Sequence, residues 1–264
     1  MTQSNYRYIY GPVASWRLGS SLGIDPISAK RKICSFDCVY CQLGPTKAFS
    51  SQRRVFVPVR AVLREIAAMP EAAIDYMTFS GAGEPTLAKN LGGMIRAVRR
   101  TRGEKIAVIT NASLMHKKAV QKDLLLADFV LAKLDANSEE LFKKMNRPMP
   151  GISFNSVLVS LKKFRALFRG RLALQIMFTS ANASSAERIA LLARMIHPDE
   201  IQLNTPLRPC AVKAISPRAL QKIERIFQRV CGKGVSIVNV YHAEKKKVSP
   251  LSKPDTLRRR GKTS

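Results

Sequence analysis

Acidic residues are scarce in this chain. Only 18 Asp and Glu stand against 45 Lys and Arg in 264 residues, a formal charge of +27. Such an imbalance points to a polyanionic partner, most simply a nucleic acid, although solvated basic helix faces give the same arithmetic. Aromatics are few, at 7%, while 46% of the residues are apolar, which excludes a disordered or fibrous chain and reads as an ordinary α/β protein. No apolar run approaches the length of a membrane span. The start, MTQSNYRYIYG, lacks a basic stretch followed by an apolar one, so no signal peptide is expected. The expected compartment is the cytoplasm, where disulfides are rare and clustered cysteines mean metal or catalysis. Also missing are a Gly/Ser linker, an internal repeat and any low-complexity stretch that would cut the body in two. We expect one core domain over 1–244, with an N-terminal extension 1–28 packed on it and a basic, flexible tail over 245–264.

Cysteines are few as well, five in all, and three of them share one short stretch, ICSFDCVYCQLG. Cys34, Cys38 and Cys41 are spaced C-x3-C-x2-C, while Cys210 and Cys231 are far away in sequence. A closed zinc site would need a fourth ligand, and neither remote cysteine nor His116, His197 or His242 sits in a matching motif. A redox pair would use two thiols, not three. An iron–sulfur cluster fits best, because three thiolates hold three irons and leave the fourth open for chemistry. Phe36, Val39 and Tyr40 would supply apolar walls.

The remainder alternates between two periods. Apolar strands are expected near 74–79, 105–109, 129–134, 172–179, 200–203 and 235–240. Helical spacing appears over 57–69, 88–101, 115–125, 138–145, 153–168, 185–196 and 217–230. Strands separated by helices of this length argue for about six parallel βα units. They would either close partly into a barrel or open into a doubly wound sheet. In both cases sites belong at the C-terminal ends of the strands, and the unusual residues fall there: Gly81 to Glu84, Asn111, Asp135 and Asn204. Trp16, the single tryptophan, reads as a core anchor or as a wall of a substrate pocket. The last residues, KKKVSPLSKPDTLRRRGKTS, carry eight basic residues and one acid, and Pro250 and Pro254 discourage a long helix.

The cysteine spacing, with an aromatic before the last cysteine, resembles the radical S-adenosylmethionine (SAM) superfamily. The stretches YGPVASWRLGSSLGID, CSFDCVYCQLG, FSGAGEPTL, KLDA, MNRP and IQLNTPLRP resemble one subgroup within it. That subgroup is the iron–sulfur oxidoreductases related to the wyosine-synthesis enzymes of transfer RNA, and the likeness runs over roughly residues 8 to 242.

The resemblance implies a partial (β/α)6 TIM-like barrel and a [4Fe–4S] cluster on Cys34, Cys38 and Cys41. It further implies SAM on the open iron, cleavage to a 5′-deoxyadenosyl radical, and a reductant such as flavodoxin or ferredoxin. Gly81, Ala82, Gly83 and Glu84 would meet the methionyl end of SAM, Tyr40 the adenine, and Asp135 the ribose hydroxyls. Asn111 and Asn204 would meet the nucleoside or the substrate. Transfer RNA or another nucleic acid is the expected substrate. The alternatives are the same chemistry on a protein or small molecule, and a zinc-stabilised RNA-binding module without catalysis. The sequence departs from the subgroup in lacking cysteines for a second cluster, in Ala82 within the glycine element, and in Lys133 two residues before Asp135.

Overall fold

The computed structural model describes residues 6–244 and 246–260. The chain opens with an antiparallel hairpin, β1 (Ile9–Ser15) and β2 (Gly19–Ile24), followed by a short parallel pair, β3 (Ile33–Cys34) and β4 (Ala48–Phe49). Helix α1 (Val59–Ala68) leads to strand β5 (Tyr76–Phe79), and α2 (Leu91–Thr101) to β6 (Lys105–Thr110). Helix α3 (Lys118–Leu124) leads to β7 (Phe129–Lys133). Two helices, α4 (Glu139–Asn146) and α5 (Phe154–Leu167), precede β8 (Arg171–Met177). Helix α6 (Ala186–Ile196), strand β9 (Glu200–Asn204), helix α7 (Pro217–Cys231), strand β10 (Ser236–Asn239) and helix α8 (Lys253–Arg260) complete the described chain.

The six expected strands are β5 to β10, and they lie in one sheet ordered β1-β2-β5-β6-β7-β8-β9-β10. Every pair from β2 onward is parallel. The order never reverses, so there is no switch point of the doubly wound kind. The edges β1 and β10 do not pair, and the sheet is a curled partial barrel. Polar caps delimit several of its helices: Ser138, Ser153 and Ser216 accept the N–H of Leu141, Ser156 and Ala219, and Pro217 occupies a first-turn position where no N–H is needed.

Side chains alternate across each strand, and the two faces differ. The outer face gives Ile106, Val108, Val130, Leu172, Leu174, Ile176, Ile201 and Leu203 to the main core, shared with Val98, Leu161, Ile189 and Phe227 of the helices. On the inner face Leu18, Ala107, Phe129, Leu131 and Ala173 form a second, smaller cluster. Toward the C-terminal ends the same face carries Thr78, Lys133, Gln175, Gln202 and Asn204.

Two boundary expectations are corrected. The described part of 1–28 is no extension: β2 is a strand of the barrel, with Leu22 opposite Met77 of β5. Residues 245–264 are not simply a flexible tail either. Lys253–Arg260 forms α8 against β1; Leu251 N donates to Gly11 O at 2.6 Å and Gly11 N to Thr256 Oγ1 at 3.1 Å. Pro254 permits this because it lies in the first helical turn, where its missing N–H has no partner to lose. The rest of that tail expectation, Lys245 and 261–264, lies outside the described residues. Among the described residues no helix is long and apolar enough to cross a membrane.

Candidate active site

The cysteine loop is held from both ends. Ile33 N donates to Ala82 O (3.1 Å) and Glu84 N to Ile33 O (3.2 Å), so β3 zips onto the Gly81–Glu84 turn that follows β5. Across the loop, Asp37 N donates to Asn146 O and Val39 N to Met145 O, which ties it to the end of α4. Phe36 stands edge-on to Phe142 at 5.2 Å inside the core, an anchor rather than an exposed wall.

Within that frame the three thiols are neighbours, Cys38 acting on Cys34 and Cys41 on Cys38. Burial pulls the Lys32 ammonium down, but the nearby Cys41, Cys34 and Cys38 outweigh it and hold the proton on more tightly than usual. Burial first, then Glu84 and Cys38, pushes the Cys34 thiol up to about 12. Burial and then Asp135 push Cys38 up to about 11. Each of these two sulfurs also has N–H donors: Phe36 N (3.5 Å) and Asn111 Nδ2 (3.6 Å) on Cys34, and Asn146 Nδ2 (3.5 Å) on Cys38. Yet among the described residues no three His, Cys, Asp or Glu are placed to hold a single metal ion. Three thiols on one loop match a cluster, whose thiolates go to separate irons, whereas a closed zinc site takes four ligands. The donors to sulfur are what tunes such clusters. The residues present therefore fit a [4Fe–4S] group.

The Gly81–Glu84 turn is built for this junction. A Cβ on Gly83 would collide with the Ile33 carbonyl oxygen, and one on Gly81, at φ +150°, with the Asp25 carboxylate. Ala82 N donates to Asp25 Oδ2 at 3.2 Å. Glu84 is 2% exposed, and its oxygens accept four hydrogen bonds: Thr86 N (3.1 Å), Thr86 Oγ1 (2.6 Å), Thr110 Oγ1 (2.6 Å) and Asn111 N (2.7 Å). These bonds lock the turn onto the end of β6. Asn111 turns toward the loop as well, donating to Ser35 Oγ at 2.9 Å and accepting from Ser113 N.

Asp135, 3% exposed, is a hub. Its carboxylate accepts from the Tyr40 hydroxyl, from Asn146 Nδ2 (2.8 Å) and from Met177 N (2.7 Å), and it pairs with Lys133 Nζ at 3.2 Å. These partners engage both oxygens, so Asp135 ties Tyr40 to α4 and to the end of β8. Burial pulls the Lys133 ammonium down, and Asp135 opposes it.

A cavity of about 440 Å³ opens beside this assembly, lined in part by Tyr40, Cys41, Gly81 and Asn204. Ala82, Gly83, Glu84, Asn111 and Asp135 are not among the residues that line it. Cys210 does not line it; its thiol donates to Val212 O at 3.1 Å. Sequence reasoning passed over Asn146, which bridges Cys38, Tyr40 and Asp135 and whose signal was the MNRP stretch. Lys32, Asp25 and Arg259 were passed over too, since only the folded chain brings them here. Trp16 does line the cavity.

A partial parallel barrel with a three-thiol loop sewn to a glycine turn at its mouth defines the class, and the comparisons name it. The family model for the radical SAM superfamily matches residues 31–204, and the chain belongs to that superfamily. The chain is also 42% identical over 202 residues to the UPF0026 protein slr1464 of Synechocystis sp., covering 76% of each. It is 36% identical over 234 residues to the UPF0026 protein MJ1312 of Methanocaldococcus jannaschii, covering 85% of this chain and 72% of that one. Among solved structures, Streptococcus suis SuiB matches with a TM-score of 0.64 at 14% identity, over 83% of this chain and 49% of SuiB, which shows the shared fold.

Proposed function

We propose that this radical SAM enzyme modifies a nucleic acid, transfer RNA first among the candidates, in the cytoplasm and with a flavodoxin- or ferredoxin-like donor. The observation that carries the chemistry is the three-thiol loop joined through Ile33 to the Gly81–Glu84 turn at the edge of an open cavity. The nucleic-acid part is supported by the charge of +27.

Cys34, Cys38 and Cys41 would hold the cluster, and SAM would lie in the cavity against Tyr40, Gly81 and Asn204. SuiB has itself been solved bound to SAM. When bound, cluster and SAM together supply one-electron cleavage to a 5′-deoxyadenosyl radical. This chain's residues prepare that event. Lys32 offsets thiolate charge, Asn111 and Asn146 donate to the cysteine sulfurs, and Asp135 fixes Tyr40 at the cavity wall. The walls bind, orient and exclude water around a group whose reactivity they do not themselves provide.

Anaerobic purification with iron, sulfide and zinc analysis tests the first part, and Cys38→Ala should abolish the brown chromophore and 5′-deoxyadenosine formation together. One zinc per chain with no iron would instead support a structural RNA-binding module. For the substrate, nucleosides of total transfer RNA from cells with and without the gene should differ by one modification, and binding should weaken steeply with salt. Unchanged nucleosides would move the reading to a protein or small-molecule substrate.

A further inference from the structure

Lys133, the last residue of β7, is a cation withdrawn from water. Its side chain is only 12% exposed and is not among those that line the cavity, so it is poorly placed to meet a substrate. An ammonium has three N–H donors, and three groups of the protein stand around this one. Asp135 Oδ1 lies at 3.2 Å, Gln175 Oε1 at 3.3 Å and the centre of the Tyr40 ring at 5.1 Å. Burial penalises the charged form and pulls the Lys133 ammonium down, while Asp135 and then Cys38 work against that pull. Asp135 acts on Cys38 in turn, second only to burial in pushing that thiol up. Lys133, Asp135 and Cys38 are therefore one electrostatic unit. Asp135 brings a negative charge to the neighbourhood of a cluster-bearing sulfur, and Lys133 cancels it. The same pair grips Tyr40, which lies between Cys38 and Cys41: the carboxylate accepts from its hydroxyl and the ammonium stands over its ring.

We propose that Lys133 is a positioning residue of the cysteine loop: it neutralises Asp135 near Cys38, clamps Tyr40, and so sets how readily a cluster held there accepts an electron. A group that gains an electron gains negative charge, and fixed charge nearby assists or opposes that gain. With the pair intact the two charges cancel. Without Lys133 the carboxylate stands alone, because Tyr40 Oη, Asn146 Nδ2 and Met177 N still donate to Asp135 and keep it ionised. This inference rests on a cluster at Cys34, Cys38 and Cys41 and not on the nucleic-acid reading.

The test uses the full chain with its cluster reconstituted and reads the midpoint of cluster reduction, by anaerobic redox titration followed with electron paramagnetic resonance. Lys133→Met keeps an unbranched apolar stem but no charge. It should make reduction about tenfold less favourable, a negative shift of about 60 mV for a one-electron couple. Lys133→Arg keeps the charge and should stay close to the parent. The double variant, Lys133→Met with Asp135→Asn, removes both charges and should return toward the parent although it loses the clamp. A residue that merely packs would give the opposite order, with the double variant the most disturbed. The proposal is overturned if Lys133→Met leaves the midpoint unchanged or raises it, or if the double variant stays as low as the single one. It is equally overturned if Lys133→Arg shifts as far as Lys133→Met. If Lys133→Met takes up no cluster, the same order is read from iron and sulfide content, full in Lys133→Arg and regained in the double variant; a double variant that is also empty overturns it. Zinc without iron in the parent would remove the cluster reading and this inference with it, whereas an iron-loaded parent with insensitive variants removes this inference alone.

Discussion

The two faces of the barrel sheet obey opposite rules although they belong to the same strands. On β8, Leu172, Leu174 and Ile176 point outward into the helices, while Ala173, Gln175 and Met177 point inward. The outer set is interchangeable in kind, aliphatic and buried. The inner set mixes apolar and polar side chains, and the polar ones form a row that runs from Lys133 near the mouth to Arg171 at the start of β8. Lys133 Nζ reaches Gln175 Oε1 (3.3 Å), Gln175 Nε2 reaches Gln202 Oε1 (3.2 Å), Gln202 Nε2 reaches Glu200 Oε1 (2.5 Å), and Glu200 pairs with Arg171 at 2.6 Å. A buried polar row of this kind costs free energy if any member is orphaned, and holds the others in fixed rotamers when complete. Stability is thus concentrated on one face and preorganisation on the other.

The sharpest way to break this comparison is to swap the consequences. Leu174→Ala, on the outer face, should lower unfolding free energy by about 2–5 kcal/mol through lost burial and a residual cavity. Asn204→Ala, at the inner mouth, should cost only about 1 kcal/mol, the value of its one local hydrogen bond to Thr205 N (2.9 Å), yet weaken SAM or substrate binding. Denaturant titration and calorimetry on both variants decide it. Equal stability losses with equal binding losses would mean that the two faces are not divided as described.

The same division explains what the sequence disclosed. The outer face made β5 to β10 legible, because Lys105–Thr110 or Arg171–Met177 reads as a strand whatever it later surrounds. It did not place β2 in the barrel sheet, because GSSLGI offers small and hydroxyl residues to the barrel interior and only Leu22 and Ile24 to the core. The cysteine loop and the glycine turn were legible as motifs, since their spacing is local. What Glu84 and Asp135 do was not, because a carboxylate at a strand end says nothing about which neighbours use its oxygens. Thr110 lies 26 positions from Glu84 and Tyr40 lies 95 from Asp135, and only the closed barrel brings them together.

Helix α8 carries the contrast into the C-terminal segment. Sequence composition marks KPDTLRRR as solvated, but Arg259 is 4% exposed and reaches the cavity wall. There it bonds Asp25 Oδ2 (3.3 Å) and Ser28 Oγ (3.2 Å), together with the Arg7 carbonyl. Asp25 in turn holds Ala82 N of the glycine turn. Breaking a buried pair leaves the other charge stranded, so Arg259→Gln should cost about 3 kcal/mol. That is the low end of the usual range, because Ile27 N, Ser28 N and Ala82 N still solvate Asp25. Burial already raises the Asp25 carboxyl above its usual value, and removal of Arg259 raises it further. A carboxyl raised in the folded state costs stability above its folded value and gives it back as pH falls, so the variant's deficit against the parent should shrink toward acid pH in denaturant titrations from pH 5 to 8. A loss of a few tenths of a kcal/mol would show that α8 rests on the barrel without supporting the turn.

The smallest effect belongs to the other tie in that segment. Lys246 Nζ meets Asp75 at 2.7 Å on the surface, with side chains 61% and 37% exposed. The Lys246 hydrogen bond, followed by that from Ser20 N, holds the Asp75 carboxyl below its usual value of 3.8. A lowered carboxyl adds stability that is present above the unfolded value and is lost as pH falls through the folded one. Exposure and salt reduce that contribution, so Lys246→Ala should cost less than about 1 kcal/mol at neutral pH and nothing measurable in 1 M salt. Side-by-side denaturant titrations of Lys246→Ala and Arg259→Gln at low and high salt compare the two ties directly. The surface pair should vanish with salt and the buried one should not, because water and ions reach Lys246 and not Arg259.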